Sequence, residues 1–133
     1  MDFQLEHIGY LTDDINRTVH QFEFLGYQQQ GKTVNDDRQK TRICFLRKYG
    51  ETGIELVQPY NDNATMLRML KKRGCGPYHL CYACDNVDRL YQELIEKNWT
   101  PIFKPVEAPA LGNRKICYFF NAEMGFVELV NKK

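Results

Sequence analysis

Four residues of this chain have the types and spacing to hold a metal ion. His7 lies in the run His7-Ile8-Gly9-Tyr10, and Glu55 lies in Ile54-Glu55-Leu56-Val57. His79 lies in Tyr78-His79-Leu80-Cys81-Tyr82, and Glu128 lies in Val127-Glu128-Leu129-Val130. The two sets are copies of each other, offset by 79 − 7 = 72 residues at the histidines and 128 − 55 = 73 at the glutamates. A strand glutamate flanked by Ile, Leu and Val is costly to bury unless it is paired or bound to a metal. One such glutamate is more often an edge or ion-pair residue, and one strand histidine is more often structural. Two matched sets make a donor inventory for one ion. Two imidazoles with two carboxylates suit Ni, Co, Zn, Mn or Fe(II). Six-coordination would leave two positions for water or substrate, and an open position separates a catalytic site from a structural one.

The copy extends beyond these four. The offset of 72 runs through Arg17/Arg89 to Tyr27/Trp99, and 73 applies to Arg42-Ile43-Cys44-Phe45 and Lys115-Ile116-Cys117-Tyr118. An internal repeat of this kind is two copies of one supersecondary unit, neither able to close a core alone. Each copy reads β-α-β-β-β. In the first, a strand over Leu5–Leu11 is followed by a helix with apolar positions Ile15, Val19, Phe22 and Leu25. Asp13 or Asp14 caps that helix and Gly26 ends it. Strands follow over 27–31, 41–47 and 53–58, with a polar loop over 35–40. A short helix over 65–72 connects to the second copy. There Asp85 or Asn86 caps a helix burying Val87, Leu90, Tyr91, Leu94 and Ile95, and strands follow over 100–104, 115–120 and 126–130. The segment 107–113 reads as a loop long enough to cover a site.

These elements predict an α+β fold: two tandem βαβββ modules forming a curved mixed sheet around a metal-binding concavity, helices on the outside. The chain reads as a single domain over 1–133, with module one at 1–59, a connector at 60–76 and module two at 77–133. Strand alternation sets Ile8, Tyr10, Ile54 and Leu56 against His7 and Glu55, and repeats this in module two. The aliphatic set is expected under the helices and the four ligands on the opposite face.

With 133 residues, 43% of them apolar and 26% charged, the composition is ordinary for a globular domain. A net charge of +1 gives no basis for electrostatic capture of nucleic acid or an anionic membrane. Lys71-Lys72-Arg73 reads as a solvated helix end favoured by the helix dipole. No run approaches the roughly 20 apolar residues of a membrane span. The five cysteines and the absence of a signal-peptide pattern suggest reduced thiols and a cytoplasmic protein.

The residues quoted above, with Gln58-Pro59 and Gly112-Asn113-Arg114 before an aromatic-rich strand, resemble the vicinal oxygen chelate superfamily over essentially the whole chain. Within it the chain looks most like small single-domain glyoxalase I-type lyases and methylmalonyl-CoA epimerases. The resemblance implies that His7, Glu55, His79 and Glu128 hold one divalent metal ion (Ni, Co, Zn or Mn) that polarises a carbonyl oxygen. It implies that Glu55 and Glu128 also move the proton on the adjacent carbon. In a lactoylglutathione lyase-like reaction the substrate is a hemithioacetal of methylglyoxal with glutathione or another thiol as cosubstrate. In an epimerase it is a CoA thioester. Some actinobacterial-type epimerases carry a further glutamate in the third strand of the first module, where this chain has Arg42.

Arg42 and Lys115 hold equivalent positions and by parity are expected on the ligand face, where they would bind an anionic substrate or cosubstrate. Arg114 would serve the substrate only if a bulge re-aims it. Cys81-Tyr82-Ala83-Cys84 reads as structural, and His20 as exposed. Tyr10, Tyr82, Tyr118 and Phe120 read as core. Met66, Leu67 and Leu70 are candidates for a pocket mouth, and Leu111 for a cover. Two other functions fit the same residues. His7, His79 and Glu128 alone would make the two-His, one-carboxylate triad of an Fe(II) ring-cleaving dioxygenase, although Glu55 would occupy a position that reaction needs open. A metal-free ligand-binding or resistance module is the other. The partner is a small molecule in each case, and an exposed sheet edge suggests a homodimer.

Overall fold

The computed structural model describes residues 2–133. In chain order the elements are β1 (Gln4–Leu11), α1 (Ile15–Phe24), β2 (Gln28–Asp36), β3 (Thr41–Arg47), β4 (Gly53–Pro59), α2 (Ala64–Arg73), β5 (Gly76–Cys84), α3 (Val87–Glu96), β6 (Thr100–Ala108), β7 (Arg114–Asn121) and β8 (Gly125–Asn131). A single 3-10 turn over Pro109–Leu111 separates β6 from β7. The order is β-α-β-β-β twice, so the fold is α+β, and its strands form one mixed sheet in the order β2-β3-β4-β1-β5-β8-β7-β6. The chain divides into two contact units, residues 8–78 and residues 1–7 with 79–133. The division falls inside β1, just after His7, and inside β5, just before His79.

In the 8–78 unit, β3 pairs antiparallel with both β2 and β4. Ile15 and Val19 of α1 pack on Cys44, Leu46, Ile54 and Leu56, with Ile8, Tyr10, Phe22 and Tyr27 around them. The helix starts where the side chain of Asp14 accepts from the Arg17 amide. Its first amide, Ile15, donates to the Gln58 side chain at 2.9 Å, which ties the helix to the end of β4.

The other unit repeats this bond for bond. Asn86 accepts from the Arg89 amide, and Val87 donates to the Asn131 side chain at 2.8 Å. Val87, Leu90 and Leu94 of α3 pack on Cys84, Cys117, Phe119 and Leu129. β5 pairs parallel with β8, which sets His79 beside Phe126 and Cys81 beside Glu128. The helices thus cover the aliphatic face in each unit, and the ligand candidates take the other face.

Two strands run longer than the pattern predicts. β2 continues to Asp36 and β6 to Ala108, each with a register irregularity against its partner. Both are outermost in the sheet; β2 is polar over most of its length, and β6 is interrupted by Pro101 and Pro105, so neither reads as one continuous strand. An edge also tolerates Pro101 and Pro105, whose missing amides leave no gap in an interior ladder. The expected loop over 107–113 is therefore only the 3-10 turn and Gly112-Asn113, both in the left-handed region at φ +67° and +62°.

All five cysteines are free thiols. Cys44, Cys81, Cys84 and Cys117 are buried and Cys75 is exposed. Burial, reinforced by the charges of Cys84, Glu128 and Asp88, pushes the Cys117 thiol up to about 12. A thiol-reactive chromophore at pH 8 will therefore label one thiol per native chain within minutes and all five after unfolding. The fast phase will vanish in Cys75→Ser. A native stoichiometry of two or more would show that the helix-covered cores open on that timescale.

Candidate metal centre

His7 on β1, His79 on β5 and Glu128 on β8 converge within the unit formed by residues 1–7 and 79–133. His7 Nε2 lies 3.2 Å from Glu128 Oε1 and 3.4 Å from His79 Nε2. His79 Nε2 lies 3.4 Å from the same Glu128 oxygen. All three residues are at least 95% buried, and the imidazoles meet edge to face at 5.5 Å. Charge-assisted N–H···O contacts close to about 2.7–2.9 Å, shorter than the contacts here. Three donor atoms sharing a cation at about 2.1 Å would stand about 3.0 Å apart at right angles and about 3.4 Å apart at the tetrahedral angle. The observed triangle falls between those limits. Two imidazole nitrogens and one carboxylate oxygen thus fit a divalent transition-metal ion in both type and spacing.

His7 is backed by its sequence neighbour. Glu6 Oε1 lies 3.8 Å from His7 Nδ1, so the carboxylate attends the nitrogen that faces away from Glu128. Arg114 holds Glu6 in place, donating to both of its oxygens at 2.8 and 3.0 Å. It also donates to the carbonyls of Leu111 and Asn131. Burial by itself would raise the Glu6 carboxyl. The His7 imidazole and the Arg114 guanidinium overcome that and hold it at about 2. At 3.8 Å the contact is electrostatic rather than a hydrogen bond, so Glu6 places a negative charge behind the His7 ring. Glu6 is not visible as a site residue in the sequence, because the arginine that orients it is 114 − 6 = 108 residues away.

The Glu6–Arg114 pair has little solvent around it, with side-chain exposures of 23% and 15%. Removing one partner will leave the other's charge half-buried. Glu6→Gln or Arg114→Met should each cost about 1–3 kcal/mol in chemical denaturation. The double variant should recover at least half of the summed loss. Strict additivity would mean that the two groups do not interact.

Glu55 lies on β4 and is 4% exposed. It shares a face with its cross-strand partner Phe45, opposite Ile54 and Leu56, which pack under α1. Its position in the 8–78 unit matches that of Glu128 in the other.

The basic residues take different places. Arg42 pairs with Gln58 and shares the face of Cys44 and Leu46, the α1 side. Lys115 Nζ pairs with Asp88 of α3 at 2.9 Å, on the side of Cys117 and Phe119. The parity expected for Arg42 and Lys115 is therefore reversed. The repeat does make them equivalent, but the register puts both on the helix face. Arg114 takes the other face of β7 and is committed to Glu6. His20 is exposed as expected, and α2 has no buried residue. Leu111 is buried in the 3-10 turn. Tyr118, read from sequence as core, instead stands beside the centre, its ring edge to face with His79 at 5.4 Å.

The chain thus repeats a βαβββ module, and the unit of residues 1–7 and 79–133 carries a buried His-His-Glu cluster. Residues 6–118 match the family model described as Glyoxalase/Bleomycin resistance protein/Dioxygenase superfamily. The chain belongs to this superfamily, the vicinal oxygen chelate proteins. No curated protein matches its sequence. Among solved structures it is similar to a hypothetical protein from Bacillus halodurans C-125, with TM-score 0.86, 23% identity, and coverage of 100% of this chain and 96% of that one. The methylmalonyl-CoA epimerase of Mycobacterium tuberculosis gives 0.84 and 22%, with 97% and 87% covered. A Streptomyces coelicolor methylmalonyl-CoA epimerase variant in complex with 2-nitronate-propionyl-CoA gives 0.85 and 18%, with 97% and 96% covered. At these identities the likeness is one of fold.

Proposed function

We propose that His7, Glu55, His79 and Glu128 hold one divalent metal ion and that the protein is a metal-dependent lyase or isomerase of glyoxalase I type. The observation that carries this reading is the His7–His79–Glu128 triangle, with edges of 3.2–3.4 Å in a buried setting. Glu55 joins the set as the module-one equivalent of Glu128. The strands carrying the four residues are consecutive in the sheet, β4-β1-β5-β8. The ion, when bound, would supply Lewis-acid polarisation of a substrate carbonyl and so acidify the adjacent C–H. His7 and His79 would serve as donors through Nε2, with the Glu6 carboxylate 3.8 Å from the other nitrogen of His7. Glu128 takes the proton from the carbon beside the carbonyl. A carboxylate then returns a proton to the former carbonyl carbon, while the hydroxyl proton passes from the oxygen of the first carbon to that of the second, so that a hemithioacetal becomes a hydroxy thioester with no net change in atoms or electrons. Burial of the centre keeps bulk water from competing for that proton.

Epimerisation of a CoA thioester is the second reading, supported by the likeness of fold to methylmalonyl-CoA epimerases. It needs the same proton transfer. The third-strand glutamate of some actinobacterial-type epimerases has no counterpart in β3, whose sequence is Thr-Arg-Ile-Cys-Phe-Leu-Arg. That absence ranks the epimerase second.

The test is metal content and metal-restored turnover. Protein stripped with chelator and reloaded with Ni, Co, Zn or Mn is assayed with methylglyoxal plus glutathione, and with methylmalonyl-CoA. About one equivalent of bound metal with turnover of the hemithioacetal is the expected result. Turnover of methylmalonyl-CoA alone would move the assignment to the epimerase. Oxygen uptake with a catechol after Fe(II) loading would move it to the dioxygenase. A protein that binds no metal would overturn the reading in favour of a ligand-binding module.

A further inference from the structure

α1 ends on apolar residues that its unit does not cover. Phe24 is 91% exposed and Leu25 57%, and Tyr49, in the turn between β3 and β4, is fully exposed. The fold brings the two segments to one end of the 8–78 unit. Leu25 is followed by Gly26, where a Cβ would stand 3.3 Å from Lys48 Cε, and Lys48 Nζ lies 5.6 Å from the centre of the Tyr27 ring. Tyr49 is the residue after Lys48. Phe24, Leu25 and Tyr49 are thus set around the Lys48 side chain and together show about 500 Å² of mostly apolar surface, at about 150–250 Å² per whole aromatic side chain.

The repeat supplies a control. The offset of 72 that carries Tyr27 to Trp99 carries Phe24 to Glu96 and Leu25 to Lys97, and the offset of 73 that carries Ile54 to Val127 carries Tyr49 to Ala122. All three counterparts are exposed. The same helix end and the same turn therefore form with two charged residues and an alanine, so folding of the module does not call for apolar residues there. A single exposed apolar residue needs no explanation. Two whole aromatic side chains and a leucine at one end of one copy, replaced at the same positions of the other, make a contiguous patch of the kind that partners cover.

We propose that this end of module one is a self-association face, on which a second copy of the chain sits about a two-fold axis. The area fits. A patch of about 500 Å² paired with its own equivalent buries about 1,000 Å², the lower bound of a specific protein–protein interface. The charge fits as well. Beside the aromatic residues lies one balanced pair, Lys48 Nζ to Glu51 Oε2 at 3.0 Å, half-exposed on both sides. A two-fold axis sets the same patch against itself. Lys48 can therefore exchange its own Glu51 for that of the second copy with no charge left unmatched. A lipid surface would favour a surplus of cations, which this patch lacks. The sheet edges are poorer seats for a partner. β2 carries Lys32 and a register irregularity between Gln30 and Val34, and β6 carries Pro101, Lys104 and Pro105, devices that blunt edge-to-edge pairing. Association through the Phe24–Tyr49 face needs no metal.

Sedimentation velocity over about 1–200 µM reads the association. An interface at the weak end of its class should raise the weight-average mass from 15.7 kDa towards twice that value across this range. Replacing the three residues by their counterparts in the repeat (Phe24→Glu, Leu25→Lys and Tyr49→Ala) should leave the chain monomeric throughout. Tyr49→Ala by itself, at a fully exposed position, should weaken association about tenfold. Because all three positions are on the surface, both variants should melt within about 3 °C of wild type at about 1 µM, which separates a lost interface from a lost fold. If the triple variant melts lower, Tyr49→Ala decides. A wild type that stays monomeric at about 200 µM overturns the proposal. If that monomer pelleted with phosphatidylserine–phosphatidylcholine vesicles and the triple variant did not, the face would belong to a lipid surface. A dimer that survives the triple substitution overturns the proposal too, and places the contact elsewhere on the chain.

Discussion

Chelator-stripped protein will gain about 10 °C in melting temperature when zinc or nickel is added at a hundredfold excess over its Kd. The magnitude follows from linkage. A ligand at that excess which binds only the native state adds about 2.7 kcal/mol. For a chain of 133 residues the unfolding entropy is about 0.28 kcal/mol/K, from about 2.1 cal/mol/K per residue. The ratio of the two is the shift. Magnesium at the same concentration should move the transition by less than about 2 °C, since it prefers oxygen donors and holds its own waters. His79→Ala should abolish the zinc shift, because the triangle loses the nitrogen that lies 3.4 Å from both other donors. A shift of equal size with magnesium, or one that survives His79→Ala, would place the ion elsewhere on the chain.

The second large effect is on turnover. Glu128→Gln keeps the shape of the side chain and one oxygen donor but cannot accept a proton. Loss of a positioned general base costs about 10²–10⁴ in rate. The expected result is a kcat lower by that factor while the purified variant still carries metal. A metal content that falls to zero would make Glu128 a ligand first. A variant that retains both metal and more than a tenth of wild-type turnover would remove Glu128 from the proton-transfer step and leave Glu55 as the candidate. The two glutamates can be told apart because each sits in its own module with its own neighbours: Phe45 across from Glu55, Tyr118 across from Glu128.

The fold was legible in the sequence because the chain states it twice. Alternation in 7–11, 54–57, 79–84 and 127–130 fixes which residues face a helix, and duplication excludes chance. The N-caps at Asp14 and Asn86 follow from local hydrogen bonding and need no tertiary information. The metal-binding residue types were legible for the same reason: a buried histidine and a buried glutamate, each in two matched copies, have few other uses. The ends of β2 and β6 were not legible. An outer strand is defined by the partner it pairs with rather than by a buried face, and partner and register are tertiary facts.

The same limit explains the basic residues. Equivalence of Arg42 and Lys115 could be read from the offset, but their face depends on strand register. The register turns Arg42 to the side that packs α1, and Lys115 to Asp88 on α3. Glu6 is fixed beside His7 only because folding brought Arg114 to it, and Tyr118 stands beside Glu128 only through strand pairing. By itself, then, the sequence determined the repeated module, its helix caps and the residue types available to a metal. The tertiary structure alone decided which donors meet and what stands behind them. Periodicity and capping are properties of neighbours in the chain, whereas a site is assembled from strands whose spacing in sequence carries no code for their order in the sheet.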